Sequence, residues 1–166
     1  MKHNEGYSYV EMLMVLAIMA IMVGMVTVSV GLVNRNTAAR TSEKLETLAN
    51  KARTYALTKG KNKGCLNIAE YNGDVYAYVG ERIPNSQTDQ VKEKGSKICN
   101  GQYEVIVSGK STCPSGGAEK EVLHIGFKQS TGGIDSADGN VVVVKKKGTT
   151  KSNSFTIYTQ TGKIKR

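Results

Sequence analysis

The hydrophobic period of the chain changes near residue 60, and before that point it is helical. Residues 12–33 form an apolar run without a charge, Pro, Asn or Gln. As a helix with a rise of ~1.5 Å per residue, this run would be about 33 Å long, enough for a ~30 Å hydrocarbon core. Glu11 stands at its edge and is the only charged residue between Gly6 and Arg35. An acid in that place needs a partner, so Glu11 is a candidate functional residue.

Residues 34–60 keep the helical period, but only one face remains apolar. Residues such as Ala38, Leu45, Leu48 and Ala52 recur at spacings of three and four, which is typical of an amphipathic helix. Gly60 is a suitable residue for ending a helix, because glycine adopts the left-handed conformation readily. The pattern therefore predicts one helix from about residue 9 to residue 59.

After Gly60 the period becomes two, which predicts strands. Residues 65–71 and 74–79 alternate around Asn72-Gly73, a pair typical of a two-residue hairpin turn. Further strands are predicted at 103–108, 122–128, 141–146, 154–159 and 163–165, and the polar segment 82–100 is predicted to be a long loop. With no helix between strands, the pattern favours antiparallel pairing. The predicted fold class is α+β: a long N-terminal helix, transmembrane in its first half and amphipathic in its second, packed on a C-terminal antiparallel β-sheet domain.

The composition of the 166-residue chain allows one globular domain beyond the apolar helix. Three cysteines make an odd count, and Cys99 with Cys113 could close a short disulfide loop; the alternative is that all three are free thiols. No His/Cys cluster has metal-ligand spacing, and His124 lies within an alternating strand. We therefore expect no metal, no cofactor and no enzymatic activity.

Basic residues are concentrated at the C-terminus of a chain whose net charge is +9. Such a cluster favours polyanions: DNA, teichoic acids or acidic lipid headgroups. The alternative is an edge strand that lysines protect from unwanted pairing. The candidate polyanion-binding residues are Lys145, Lys146, Lys147, Lys151, Lys163, Lys165 and Arg166.

The N-terminal pattern resembles that of the type IV pilin and pseudopilin family. The resemblance rests on Gly6, Tyr7, Glu11 and the unbroken apolar helix, and it covers about the first 35 residues. It implies that a prepilin peptidase cuts after Gly6 and methylates the new amino group of Tyr7. It also implies that Glu11 of one copy meets the Tyr7 ammonium of the next. A plain membrane anchor and a signal peptide are the alternatives, but the run is too long for a signal peptide.

The resemblance implies a leader at 1–6, a transmembrane helix half at 7–33, an amphipathic half at 34–60 and a β-rich pilin domain at 61–166. The protein would be single-pass, with a cytoplasmic N-terminus before processing and an extracytoplasmic domain, and would then join a cell-surface filament or pseudopilus. Its partners would be other pilin subunits, the prepilin peptidase, the assembly platform with its ATPase, and the membrane.

The expected function is that of a structural subunit of a type IV pilus or a type II secretion-like pseudopilus. H-type minor pseudopilins are the subgroup it resembles most, by the hairpin after the helix and the segments at 125–134 and 155–166. The alternatives are a DNA-binding minor pilin of a competence pseudopilus and a major pilin.

Overall fold

The computed structural model describes residues 8–112, 121–135, 139–150 and 152–166, with side chains except those of 24–36 and 61. It divides the chain into two compact units, Met1–Asn36 and Thr37–Arg166. Each unit is described by itself below.

Three helical segments and nine strands lie in the described residues. The helical segments are α1 (Tyr9–Lys59), a 3-10 turn (Lys61–Lys63) and α2 (Thr88–Lys94). The strands are β1 (Cys65–Tyr71), β2 (Asp74–Gly80), β3 (Ser96–Cys99), β4 (Tyr103–Val107), β5 (Lys110–Ser111), β6 (Leu123–Gly126), β7 (Val141–Lys146), β8 (Ser152–Ile157) and β9 (Ile164–Lys165).

The strands form two sheets rather than one. Sheet A has the order β3-β2-β1-β6, and sheet B has the order β5-β4-β7-β8-β9. Every pair of neighbouring strands is antiparallel. In sheet A the central strand β1 pairs with β2 along its whole length and with β6 over its first four residues. Its buried side chains therefore lie in the middle of sheet A.

Local chemistry accounts for the hairpin and for the end of α1. Asn72 and Gly73 join β1 to β2 with φ values of 49° and 85°, the two positive angles that a type I′ turn needs. The predicted Asn72-Gly73 hairpin is therefore confirmed. Gly60 has a φ of 97° and directly follows the last residue of α1, as expected for a left-handed residue at a helix end.

The core of the second unit joins the amphipathic part of α1 to both sheets. The face of α1 that enters it is made mainly of small side chains, Ala49, Ala52 and Ala56, with Leu45 as the largest. Sheet A contributes residues such as Leu66 and Ile125, and sheet B residues that include Val105, Val142, Val144, Phe155 and Ile157. A smaller cluster of Ala69, Ile83, Val91 and Val122 lies on the other side of β1, with α2.

A search of the described helices found none long and apolar enough to cross a membrane. The predicted transmembrane half at 7–33 and the predicted single-pass membrane localisation are therefore wrong on this finding.

The predicted fold class, a long helix packed on a C-terminal antiparallel β-sheet domain, is also wrong in its β-rich part. Two separate antiparallel sheets are present, and the polar segment 82–100 holds α2 and β3 instead of a loop. The fully buried Val91 anchors α2, and the buried Ile98 anchors β3. One or two apolar residues in a polar segment leave no period to detect, which is why both elements were missed.

Leu45 should contribute much more stability than Leu57, although both belong to α1. Leu45 is completely buried, whereas Leu57 is 43% exposed. We expect Leu45→Ala to lower the free energy of unfolding by about 2–5 kcal/mol, through lost burial and a residual cavity. Leu57→Ala, the same change on the same helix, should lower it by under about 1 kcal/mol. Urea unfolding of both variants measures the difference, and equal losses would show that the helix face is assigned wrongly.

Candidate functional site

The sequence-predicted processing residues, Gly6 and Tyr7, lie outside the described residues. Glu11 is described and is exposed. Ser8 precedes α1, and its backbone N–H donates a hydrogen bond to Glu11 Oε2 at 3.0 Å. The backbone carbonyl of Ser8 accepts from the N–H of Met12 at 3.2 Å, the first hydrogen bond of the helix. Glu11 therefore caps α1.

This contact is one half of a capping box, a motif that the sequence contains but the sequence analysis overlooked. In the motif Ser/Thr-x-x-Glu, the glutamate three residues after the N-cap accepts from the N-cap backbone N–H. Ser8-Tyr9-Val10-Glu11 has that spacing. A carboxylate in the first helical turn is also favoured by the helix dipole. Glu11 thus has a role within its own chain, separate from the predicted pairing with Tyr7 of another copy.

The first part of α1 exposes apolar side chains on every side. Twelve large hydrophobic residues between positions 9 and 23 are each more than half exposed, and their described neighbours are exposed as well. A continuous apolar surface of this size is typical of an interaction site, because soluble monomers rarely leave one uncovered. The twelve residues are Tyr9, Val10, Met12, Leu13, Met14, Val15, Leu16, Ile18, Met19, Ile21, Met22 and Val23.

The predicted polyanion-binding residues are interleaved with acids. Lys145 Nζ lies 2.9 Å from Glu104 Oε1, where β7 pairs with β4. Lys147 Nζ lies 3.8 Å from Glu70 Oε2.

The other candidate cations also either contact an acid or lie on different strands. Arg166 contacts Glu46 on α1, with Nε 2.8 Å from Oε2. Lys146 lies on β7 and Lys165 on β9, with β8 between the two strands. Lys163 precedes β9, and Lys151 lies outside the described residues. Of the described candidates, Lys145, Lys147 and Arg166 each lie beside an acid, and the polyanion-binding surface stays a prediction.

The cysteines do not form the predicted bond. Cys99 is a buried free thiol, Cys65 is buried, and Cys113 lies outside the described residues. The expected Cys99–Cys113 disulfide is therefore absent from this structure. Burial raises the pKa of the Cys99 thiol to about 11, and the nearby Asp74 carboxylate adds to the shift. A thiol of that kind is protonated and unreactive at neutral pH.

A buried polar cluster connects sheet A to the segment that follows β2, and sequence reasoning missed it. Asn67 on β1 is completely buried and contacts His124 on β6, with Nδ1 of the ring 3.1 Å from Asn67 Oδ1. The other ring nitrogen, Nε2, lies 2.8 Å from Oδ1 of Asn85. An asparagine in the middle of a predicted buried strand was the available signal, because a buried amide needs hydrogen-bond partners.

The described residues hold no group of three or more His, Cys, Asp or Glu side chains arranged for a metal ion. Comparisons with protein-family models, with curated proteins and with solved structures found no match.

The Cys99 thiol should make stability decrease at alkaline pH. Its folded pKa of about 11 exceeds the ordinary value of 9.0, so the folded state holds the proton more tightly. The stabilisation is complete below about pH 9 and is lost as the pH rises to about 11, by at most about 3 kcal/mol. Urea unfolding at pH 7, 9 and 11 measures it. The control is Cys99→Ala, whose stability should decrease less over the same range; parallel curves would contradict the shift.

Proposed function

We propose that this chain is a structural subunit of a type IV pilus or of a related pseudopilus, cut after Gly6 and assembled through the first part of α1. The observation that carries the proposal is the apolar surface of residues 9–23, which is exposed on all sides and begins within the Ser8–Glu11 cap. The proposal draws on the family resemblance of the same residues.

The geometry of that surface favours a filament over a dimer. One neighbour can cover only one side of a helix, whereas here the apolar side chains point in every direction around the axis. Several copies must surround each helix to bury them all. Contacts that repeat head to tail without closing a ring generate helical filaments. A bundle of such helices, with the domain of residues 37–166 attached to each, fits this requirement.

Glu11 has two partners under this proposal, and one carboxylate can accommodate both. Within one chain, the Ser8 N–H occupies Oε2. Between copies, cleavage after Gly6 would create an ammonium group on Tyr7, and that cation would pair with Glu11 of a neighbour. A carboxylate has two oxygens and can accept several hydrogen bonds. The cap therefore leaves capacity for the ammonium and orients the carboxylate at the end of the helix.

The roles of Glu11 as a helix cap and as a charge partner can be separated with two substitutions. Glu11→Ala removes both roles. Glu11→Gln keeps an oxygen that can accept from the Ser8 N–H, as in capping boxes with glutamine, but removes the charge. We expect both variants to lose incorporation into filaments, because the Tyr7 ammonium is left without an anion. The measurement is the fraction of subunit recovered in sheared, sedimented filaments from cells that make the assembly machinery.

The matched control for the Glu11 experiment is Glu93→Ala, which removes an exposed acid from α2. That variant should assemble as the parent does. Normal assembly of Glu11→Gln together with failure of Glu11→Ala would show that Glu11 acts only as a cap and would refute the charge pair.

The cleavage step is tested at Gly6. Co-expression with a prepilin peptidase should shorten the parent chain by its first six residues and give a mature N-terminus at Tyr7. Gly6→Val should remain full length, because a branched side chain at the cleaved position obstructs the peptidase. Intact-mass spectrometry distinguishes the two products. A parent chain that keeps Met1 in the presence of active peptidase would contradict the proposed function.

A further inference from the structure

The orientation of the Asn67 carboxamide is determined by its backbone partners. Its Nδ2 donates to the carbonyl oxygen of Glu81 at 3.0 Å and to that of Tyr78 at 3.4 Å. Its Oδ1 accepts from the N–H of Ile83 at 3.0 Å. Rotating the amide by 180° would place Oδ1 against two carbonyl oxygens and Nδ2 against an N–H. Asn67 is completely buried, so such unsatisfied contacts would be costly.

This orientation assigns the tautomer of His124. Because Asn67 Oδ1 can only accept, the ring nitrogen 3.1 Å away, Nδ1, must carry a hydrogen. The second nitrogen, Nε2, lies 2.8 Å from Oδ1 of Asn85. Asn85 differs from Asn67 because its side chain is exposed and its amide can rotate in solvent.

Two hydrogen-bonded states are therefore available to the ring. In the first, an imidazolium donates from Nδ1 to Asn67 Oδ1, 3.1 Å away, and from Nε2 to Asn85 Oδ1, 2.8 Å away. In the second, the neutral ring keeps the hydrogen on Nδ1, and Nε2 accepts from Nδ2 of a rotated Asn85 amide. One proton and one amide rotation separate the two states. We propose that His124 is a proton-sensitive switch that controls how Asn85 holds the segment of residues 81–87 against sheet A.

The switch acts on a segment that is attached at several points. The carbonyl oxygen of Asn85 accepts from the N–H of Val122, just before β6, at 3.0 Å. In the charged state both hydrogen bonds of the ring are charge-assisted, including the one to Asn85, and such bonds are about twice as strong as neutral ones. Protonation of His124 should therefore hold residues 81–87 more tightly.

Asn85 and His124 also line a cavity of about 360 Å³ between β6 and the β4–β5 turn. Among the described residues, the charged side chains that line it are Arg82, Lys110 and Glu121. The Cys65 thiol is also near the cluster, with its Sγ 3.8 Å from Asn67 Oδ1. In the rotated state the amino group of Asn85 faces the ring and its oxygen faces away, whereas in the first state the amino group faces away. The proton on His124 thus changes the hydrogen-bonding character of the cavity wall.

The first test is a pH titration of the full chain by nitrogen-15 NMR. The chain has one other histidine, His3, and His3→Gln removes its signal. We expect Nδ1 to remain protonated from pH 5 to pH 8, while Nε2 titrates and the side-chain amide signals of Asn85 shift with the same midpoint. After correction for intrinsic rates, the amide of Val122 should exchange more slowly below that midpoint. A deprotonated Nδ1, or Asn85 signals that do not follow the ring, would overturn the switch.

The second test adds a charge at Asn85. Asn85→Asp places a carboxylate beside Nε2 and should raise the midpoint of His124 by about 1–3 pH units, as an opposite charge at contact distance does. The matched control is Asn140→Asp, which adds the same charge to the wall of the same cavity without touching the ring. Its shift should be smaller than that of Asn85→Asp. Equal shifts in both variants would show that the ring senses the cavity's general charge and not Asn85.

Discussion

The close approach of a polypeptide backbone to the small-residue face of α1 is the constraint on which the compact unit depends. At Gly64, just before β1, an added Cβ would lie 2.2 Å from the Cβ of Ala56 and 2.6 Å from its Cα. Neither residue can be larger without displacing the strand from the helix. Because β1 is a central strand of sheet A, its position on α1 determines where β2 and β6 can pair. The alanines of α1 thus set the distance between the helix and the strand, and they also contribute apolar surface to the core.

Local chemistry made some of this fold predictable. The Asn72-Gly73 turn, the strand on each side of it and the residue that ends α1 follow from preferences of a few neighbouring residues. The division into two sheets does not, because it depends on which distant strands pair. For example, β4 pairs with β7, which lies more than thirty residues later in the chain. Periodicity reports whether a segment is a strand and which of its faces is buried, but it carries no information about its partner.

In the candidate site, too, contacts between neighbouring residues could be predicted from the sequence, whereas contacts between distant residues could not. The Ser8–Glu11 cap could have been predicted, because both partners lie within one helical turn and the spacing is diagnostic. The pairing of Lys145 with Glu104 could not, since it depends on the register between β7 and β4. The same holds for Arg166 and Glu46, which are separated by 120 positions. A count of charges along the chain suggested a basic cluster, whereas the tertiary structure places an acid beside several of its members. Net charge constrains solubility and association but not the arrangement of the charges.

The two units differ in how completely their apolar surface is buried, and under the proposed function this difference locates the driving force for assembly. In the described part of residues 37–166, large side chains such as Phe127 and Phe155 are buried, and the exposed large apolar side chains are Leu57 and Tyr158. In residues 9–23 the large apolar side chains are exposed. Fully burying such a side chain contributes about 1.5–3 kcal/mol, so a dozen of them supply far more than one ion pair at a polar surface. Part of that gain is offset by the entropy lost on association. Under the proposed function, affinity therefore comes from the apolar helix, while the carboxylate of Glu11 sets the register between neighbouring copies.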